Sequence, residues 1–378
     1  MKTKNKTPKP MTLSRIVSRY ERLRIFACIG IGMLLCILLI FLVSKRPFNA
    51  IKYLAMGPFT TINRFAQIFE KAQPMLITGC AFQLMVCVGN FSLINDSCVV
   101  LAPCLVCAPI ILNEALFGSI PGELGKIVWI ASACVGSFVV GGAVSLLPPL
   151  LKRTFHCNEI VTSSLLNSVF AYFVEWFVKN ILFDHESGLS ASKPYPAQVK
   201  PTVLVYGSRF TTMFIVGVLF CIVTYVLLYY TRLGFAARIV GRNTQFARAS
   251  GINPTRVMLI VSAIAGGIAG VAGTLQTLSY NQRFSGGAAN ISDGMFCGIF
   301  AKENPLLLPI AAIGLSYLRV TAETMSNNTD VPVELVTVMT SFIIMMLAAD
   351  QLLSKQRDRA IRKYCSVHPE DREAAGAL

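Results

Sequence analysis

The chain has 378 residues, of which 54% are apolar and 14% charged, and carries a net charge of +15 at a mean hydropathy of +0.60. One water-soluble core of this size cannot hide so much apolar surface, so lipid must cover the remainder. The basic residues sit in tails and in loops between apolar runs, which points to orientation across a membrane rather than to nucleic acid.

Residues 1–24 hold eight Lys or Arg and one acid, Glu21. The apolar run Ile25 to Ser44 begins like a signal peptide. It is too long for one and lacks a small-x-small cleavage site, so it reads as a retained first span. Further spans are predicted at 74–90, 97–115, 127–149, 160–180, 209–229, 257–279, 306–322 and 332–350, because about 20 apolar residues cross a hydrocarbon core roughly 30 Å thick. Lys45 to Gln73 and Phe183 to Gly207 read as long external loops. Basic residues crowd the N-terminal tail, Lys152-Arg153, the stretch 231–256 and the tail with Lys355, Arg357, Arg359, Arg362 and Lys363. All four segments are expected in the cytoplasm.

Nine spans would strand the basic C-terminus outside. The short apolar segment Ile291 to Ala301 supplies the missing crossing, since a short or broken helix is tolerated where protein shields its ends from lipid. The expected fold is an all-α integral membrane protein of about ten transmembrane helices, one of them short or broken, with both termini cytoplasmic. Its parts are a basic tail 1–24, a polytopic transmembrane domain 25–350 containing the cytoplasmic loop 231–256, and a tail 351–378.

Metal and catalytic chemistry find little footing. Cys28, Cys36, Cys80, Cys87, Cys134 and Cys221 are scattered through apolar runs, where Cys packs as a small residue. Cys104 and Cys107 have CxxC spacing without a second pair at zinc-site distance. His156, His185 and His368 lie far apart in sequence. Polar residues at depth carry more information, because a charge near the bilayer centre costs at least roughly 2.5–3.5 kcal/mol. Gln83, Asn90, Asp96, Asn167, Gln276 and Asp293 are such residues, each either bonding between helices or contacting a solute. Phe91, Phe170, Tyr172 and Phe296 could stack on a sugar or base, although most of 24 Phe in so apolar a chain face lipid or core. Glu175 beside Trp176 reads as an interfacial anchor. Gly266, Gly270 and Gly273, interleaved with Ala265, Ala269 and Ala272, let neighbouring helices approach closely.

The loop 231–256 has five Arg and no acid. Within it Asn243 is a good N-cap and Gly251 a good residue just past a helix end, so they bracket a helix of about two turns, roughly 10 Å long. Such a helix is far too short to cross a membrane, and it carries Phe246, Ala249 and Ser250 at helical spacing. That shape suits docking in a groove of another protein.

The run Arg232-Leu233-Gly234-Phe235, then Gly241-Arg242-Asn243, then Ala247-Arg248 to Gly251-Ile252, resembles the signature loop of bacterial ATP-binding-cassette importer permeases of the simple-sugar and nucleoside type. The similarity extends to Pro148 to Lys152, Asn158-Glu159-Ile160 with Leu166-Asn167, the small-residue helix Ser262 to Leu275, and Asp293-Gly294 with Asn304-Pro305. It covers residues 75 to 350 in order. The sequence departs from the family at Gly89 to Cys98, where only Gly89, Phe91 and an acid at Asp96 match the usual pattern; this turn is expected at mid-membrane depth near the solute path.

The resemblance implies that Gly241, Asn243, Phe246, Ala247, Arg248, Gly251 and Ile252 form the loop that couples to a cytoplasmic ATPase, and that Asn90, Phe91, Asp96, Asn167, Phe170, Asp293 and Phe296 line a solute path. It further implies residence in the bacterial inner membrane, a second permease subunit that is either a like copy or a paralogue, and an extracytoplasmic solute-binding lipoprotein. The expected cargo is a nucleoside, simple sugar or riboflavin-like compound. No G-x-x-x-x-G-K-[ST] stretch occurs in the sequence, so ATP and Mg²⁺ are expected on the partner and this chain is not itself an enzyme. The rival classes are an ion-coupled secondary transporter, for which Asp96 and Asp293 are the footholds, and an intramembrane enzyme, which needs a polar cluster at one depth.

Overall fold

The computed structural model describes residues 37–112, 123–183, 208–281, 292–301 and 304–332, with short stretches at 30–31, 34–35, 192–195, 200–201, 283–284 and 341–342 and isolated positions at 338 and 345. Both tails, nearly all of the span expected at 332–350 and most of the loop 183–207 lie outside the described residues. Helices are the only regular elements among the described residues. They are α1 (Pro47–Met56), α2 (Ile62–Cys87), α3 (Ile94–Leu112), α4 (Glu123–Ser145), α5 (Leu147–Phe155), α6 (Glu159–Ile181), α7 (Met213–Tyr230), α8 (Arg232–Arg242), α9 (Thr244–Ala249), α10 (Pro254–Gln276), α11 (Ser292–Phe300) and α12 (Leu308–Asn328). Among the described residues, five stretches are long and apolar enough to cross a membrane: Gly125–Phe155, Glu159–Asn180, Met213–Tyr230, Pro254–Ser279 and Pro305–Asn328.

The chain falls into two units, Met56–Thr321 and the two ends, Met1–Ala55 with Ala322–Leu378. In the smaller unit, Ser44 Oγ and the Lys45 amide both donate to the Asp330 carboxylate at 2.7 Å. These bonds hold Asp330 below its ordinary range. A lowered folded pKa means the tie is complete above the usual carboxylate value of about 3.9 and is lost as pH falls through the lowered value.

In the larger unit α10 is the axis. The apolar stretch containing it is 72% buried, against 11% for α6 and 22% for α4. Glycine explains how neighbours get so close. A Cβ on Gly273 would overlap the Val99 carbonyl oxygen of α3, one on Gly270 the Ser137 carbonyl of α4, and one on Gly266 the Gly141 carbonyl of α4. Backbones in contact leave little room for polar side chains; of those present, Ser137 and Thr274 bond hydroxyl to hydroxyl.

Two segments differ from expectation. Lys45 to Gln73, expected as an external loop, is instead α1, a 3₁₀ turn at Gly57–Thr60 and the first half of α2. Its charged and polar residues lowered the apolar signal, but two of them are buried and bonded. Glu70 accepts from the Arg209 amide at 3.1 Å, and Gln73 donates to Ser279 Oγ at 3.2 Å while accepting from Thr211 at 3.4 Å. The basic loop also contains a second helix, α8, ahead of the expected short one.

The short segment near 291–301 is indeed a helix of nine residues, α11, about 13 Å long at 1.5 Å per residue. It runs beside α2, with Gly294 against Thr78 and Gly79, and Gly298 against Phe82. The chain then turns through Asn304, which caps the 3₁₀ turn Pro305–Leu307, and α12 returns with Leu308 against the same Gly79.

Overpacking a core costs ~1–3 kcal/mol, and a backbone carbonyl cannot rotate away as a side chain can. Gly273→Leu is therefore expected to abolish monodisperse elution in detergent, whereas Gly314→Ala, with open space around its Cα, elutes as the parent does. In the smaller unit, Asp330→Ala should speed hydrogen exchange of the Lys45 amide at neutral pH, read by mass spectrometry.

Candidate functional site

The turn between α2 and α3 is built by a glycine stop. Gly89 has φ +76°, its amide donates to the Val86 carbonyl at 2.9 Å, and the Asn90 amide donates to the Met85 carbonyl at 3.0 Å. This is the Schellman arrangement, which satisfies the last carbonyls of a helix and turns the chain out of it. The same device ends α9. Gly251 has φ +77°, its amide donates to the Arg248 carbonyl at 3.0 Å, and the Ile252 amide to the Ala247 carbonyl at 2.9 Å. At the start of α9, Asn243 Oδ1 accepts from the Gln245 and Phe246 amides, both at 3.0 Å, as an N-cap should. Ala247 is fully buried while Phe246 is 59% exposed, and Arg248 lies open to solvent. A six-residue helix with an outward aromatic and a cation is a docking shape.

These two places are joined. Gly241 lies near the end of α8, just before Asn243. A Cβ on Gly241 would overlap the Cys87 carbonyl oxygen of α2, and one on Gly89 would stand 3.2 Å from the Gly241 Cα. Backbone therefore meets backbone between the basic loop and the α2–α3 turn.

Around that turn the structure gathers four of the expected path residues. Asn90 is buried and its amide nitrogen reaches Ser262 Oγ at 3.5 Å. Phe91 packs edge-on against Phe82 at 5.5 Å between centroids. Asp96 sits half-buried in the first turn of α3. Asn167, on α6, accepts from Ser97 Oγ at 2.6 Å. The turn packs at the α2 end that meets Gly241, with Lys152 nearby across a shared cavity. It thus lies level with the basic segments, not midway along the helices as expected from sequence.

Phe170 stands farther along α6, packed on a cluster of Leu101, Cys104, Val174 and Phe284. Asp293 and Phe296 lie apart from the turn, on α11. Asp293 is paired with Arg319 of α12, a partner that the sequence reading passed over. Asp293 is almost wholly buried and the Arg319 side chain is 23% exposed. Each keeps one atom without a hydrogen-bond partner, Asp293 Oδ2 and Arg319 Nε. Asn95 and Glu159 were also missed; Asn95 is buried with neither side-chain polar atom bonded, and Glu159 is buried while paired to Lys152 at 3.0 Å.

The fold and these two sites define a multi-pass membrane permease: apolar helices closed on a small-residue axis, polar residues buried within, and a basic loop whose helix α8 touches the helix break. The family described as branched-chain amino acid transport system / permease component matches residues 64–349, and the chain belongs to it. The nucleoside ABC transporter permease protein NupB of Lactococcus lactis is 23% identical over 341 residues, 87% of this chain and 91% of that protein. The guanosine ABC transporter permease protein NupP of Bacillus subtilis is 22% identical over 227 residues, 57% of this chain and 64% of that one. The glucose ABC transporter permease protein TsgB13 of Haloferax volcanii is 22% identical over 349 residues, 89% of this chain and 88% of that one.

Removing one partner of a buried ion pair costs about 3–5 kcal/mol, whereas replacing both by apolar residues is often neutral. Arg319→Met alone should therefore lower the detergent melting temperature sharply. The double variant Asp293→Leu with Arg319→Met should recover it.

Proposed function

We propose that this chain is the permease subunit of an ATP-binding-cassette importer of nucleosides, crossing the membrane ten times with both termini in the cytoplasm. The relatives named for nucleoside and guanosine transport support that cargo, and the one named for glucose makes a simple sugar the second reading. Five long apolar helices, the short α11 and the basic charge of the loops support the topology. In this reading 1–24 and 351–378 are cytoplasmic tails and 25–350 is the permease domain. Two such subunits, alike or paralogous, form the pathway, a solute-binding lipoprotein delivers the nucleoside, and ATP and Mg²⁺ are bound by cytoplasmic ATPases.

The contact of Gly241 with Cys87 and Gly89 carries this reading. Phe246 and Arg248 dock in the ATPase, whose closure moves α9 and the adjoining α8. Because α8 meets the end of α2 backbone to backbone, that motion reaches Asn90 and Phe91 with no flexible side chain in between. A solute that passes the turn of Asn90, Phe91, Asp96 and Asn167 is then exposed first to one side and then to the other. Alternating access of this kind needs two arrangements of one rigid element that both sites bias.

Proteoliposomes containing the whole transporter and its binding protein test this, with labelled guanosine inside or outside and glucose and riboflavin as competitors. Arg248→Glu is expected to weaken ATPase binding and reduce uptake. Gly241→Ala, which adds only one methyl group and so shifts the α8–α2 contact least, should leave the ATPase bound and hydrolysing while uptake falls about tenfold or more, equivalent to ~1.4 kcal/mol of lost coupling. Uptake driven by a proton or sodium gradient without ATP would instead identify a secondary transporter.

A further inference from the structure

We infer that the cavity between the α2–α3 turn and the α5–α6 turn is a release-side station that holds the base of the transported nucleoside; this rests on the importer reading above. The cavity has a volume of about 330 Å³, with Asn90 and Phe91 on one wall and Lys152, Cys157, Glu159 and Ile160 on the other. That is the small end of ligand pockets, which run roughly 300–1,000 Å³.

Its chemistry selects the occupant. Asn90 is 1% and Glu159 5% exposed, and each keeps one side-chain oxygen without a donor, Asn90 Oδ1 and Glu159 Oε1. Their other polar atoms are engaged, Asn90 Nδ2 with Ser262 and Glu159 Oε2 with Lys152. What these two buried side chains have left to offer is acceptors, and buried acceptors without donors are costly until something supplies them. A ligand with N–H or O–H donors supplies them; one made of acceptors does not. The Lys152–Glu159 pair balances its own charge, which favours a neutral ligand over a phosphorylated one. Phe91 is 40% exposed and presents a flat face on which a planar ring stacks. A planar, neutral ring with adjacent N–H donors on one edge is a purine base of the guanine type. A free sugar has the donors and lacks the ring.

Position gives the station its role. Lys152 lies in a segment with cytoplasmic charge character, and Gly89, on the same wall as Asn90, is the residue that α8 touches. The station therefore stands on the side where solute leaves, at the joint moved by ATPase closure, so that the acceptors that hold the base are displaced as the joint moves.

Cys157 makes the test direct, being a free, exposed thiol on the cavity wall. In the assembled transporter in nanodiscs, peptide-resolved mass spectrometry follows N-ethylmaleimide addition to Cys157 with guanosine, cytidine, guanosine monophosphate or glucose present. Guanosine is expected to slow the addition several-fold and the other three to slow it little; Cys157→Ser confirms the peptide. Glu159→Gln, which keeps the side chain's size, should lose the guanosine protection while Cys157 still reacts without ligand. Equal protection by guanosine monophosphate or by glucose, or unchanged addition with guanosine while ATP-driven guanosine uptake is intact, overturns the station and leaves the importer standing. Loss of both uptake and protection overturns the nucleoside reading itself.

Discussion

Close approach of backbones along α10 is the constraint on which the rest of the larger unit depends. A helix in lipid gains little from hiding apolar side chains, because the lipid is equally apolar. What holds α3 and α4 against α10 is contact at carbonyl distance, made possible where Gly266, Gly270 and Gly273 carry no side chain. The bonds that follow, such as Ser137 to Thr274, form because the helices are already that near. The polar residues at the α2–α3 turn are then placed by a scaffold whose spacing is set by backbone dimensions.

The two glycine stops extend this logic to function. Gly89 and Gly251 adopt the same left-handed conformation, one closing the helix that leads to the buried polar turn, the other closing α9, whose Phe246 and Arg248 are exposed. Between them α8 touches α2 through Gly241. In the proposed mechanism, a movement at α9 passes through main chain rather than through rotatable side chains, which suits conversion of a cytoplasmic event into a rearrangement inside the bilayer. The Asp293–Arg319 pair lies off this line, in the α11–α12 return, where two charges buried together give that hairpin one strongly preferred seating.

The sequence made the strongest local signals readable. Asn243 and Gly251 bracket α9 because capping chemistry acts over a few residues, and the small-residue stripe marked α10 for the same reason. The family resemblance supplied the class of protein, which the family match bears out. Other parts were hidden by what hydropathy measures. It reports the solvent a residue prefers, not the backbone it adopts, so Glu70 and Gln73 made the first half of α2 look like a loop while both were bonded in the interior. Arg319 was missed because it is one cation in an apolar run, and its meaning appears only when Asp293, 26 positions away, folds against it. Gly234 and Gly241 are poor helix formers, yet both lie in α8, where each lets another backbone approach.

The buried axis also bears on how such a protein can diversify. No larger residue fits where α10 meets the carbonyls of Val99, Ser137 and Gly141, so inheritance has almost no latitude there. Latitude remains where the chain leaves the axis: at Phe91, at the rim of the adjoining cavity, and on the open faces of α6. If the turn meets the solute as proposed, small changes there alter the cargo while the inherited frame stays as it is.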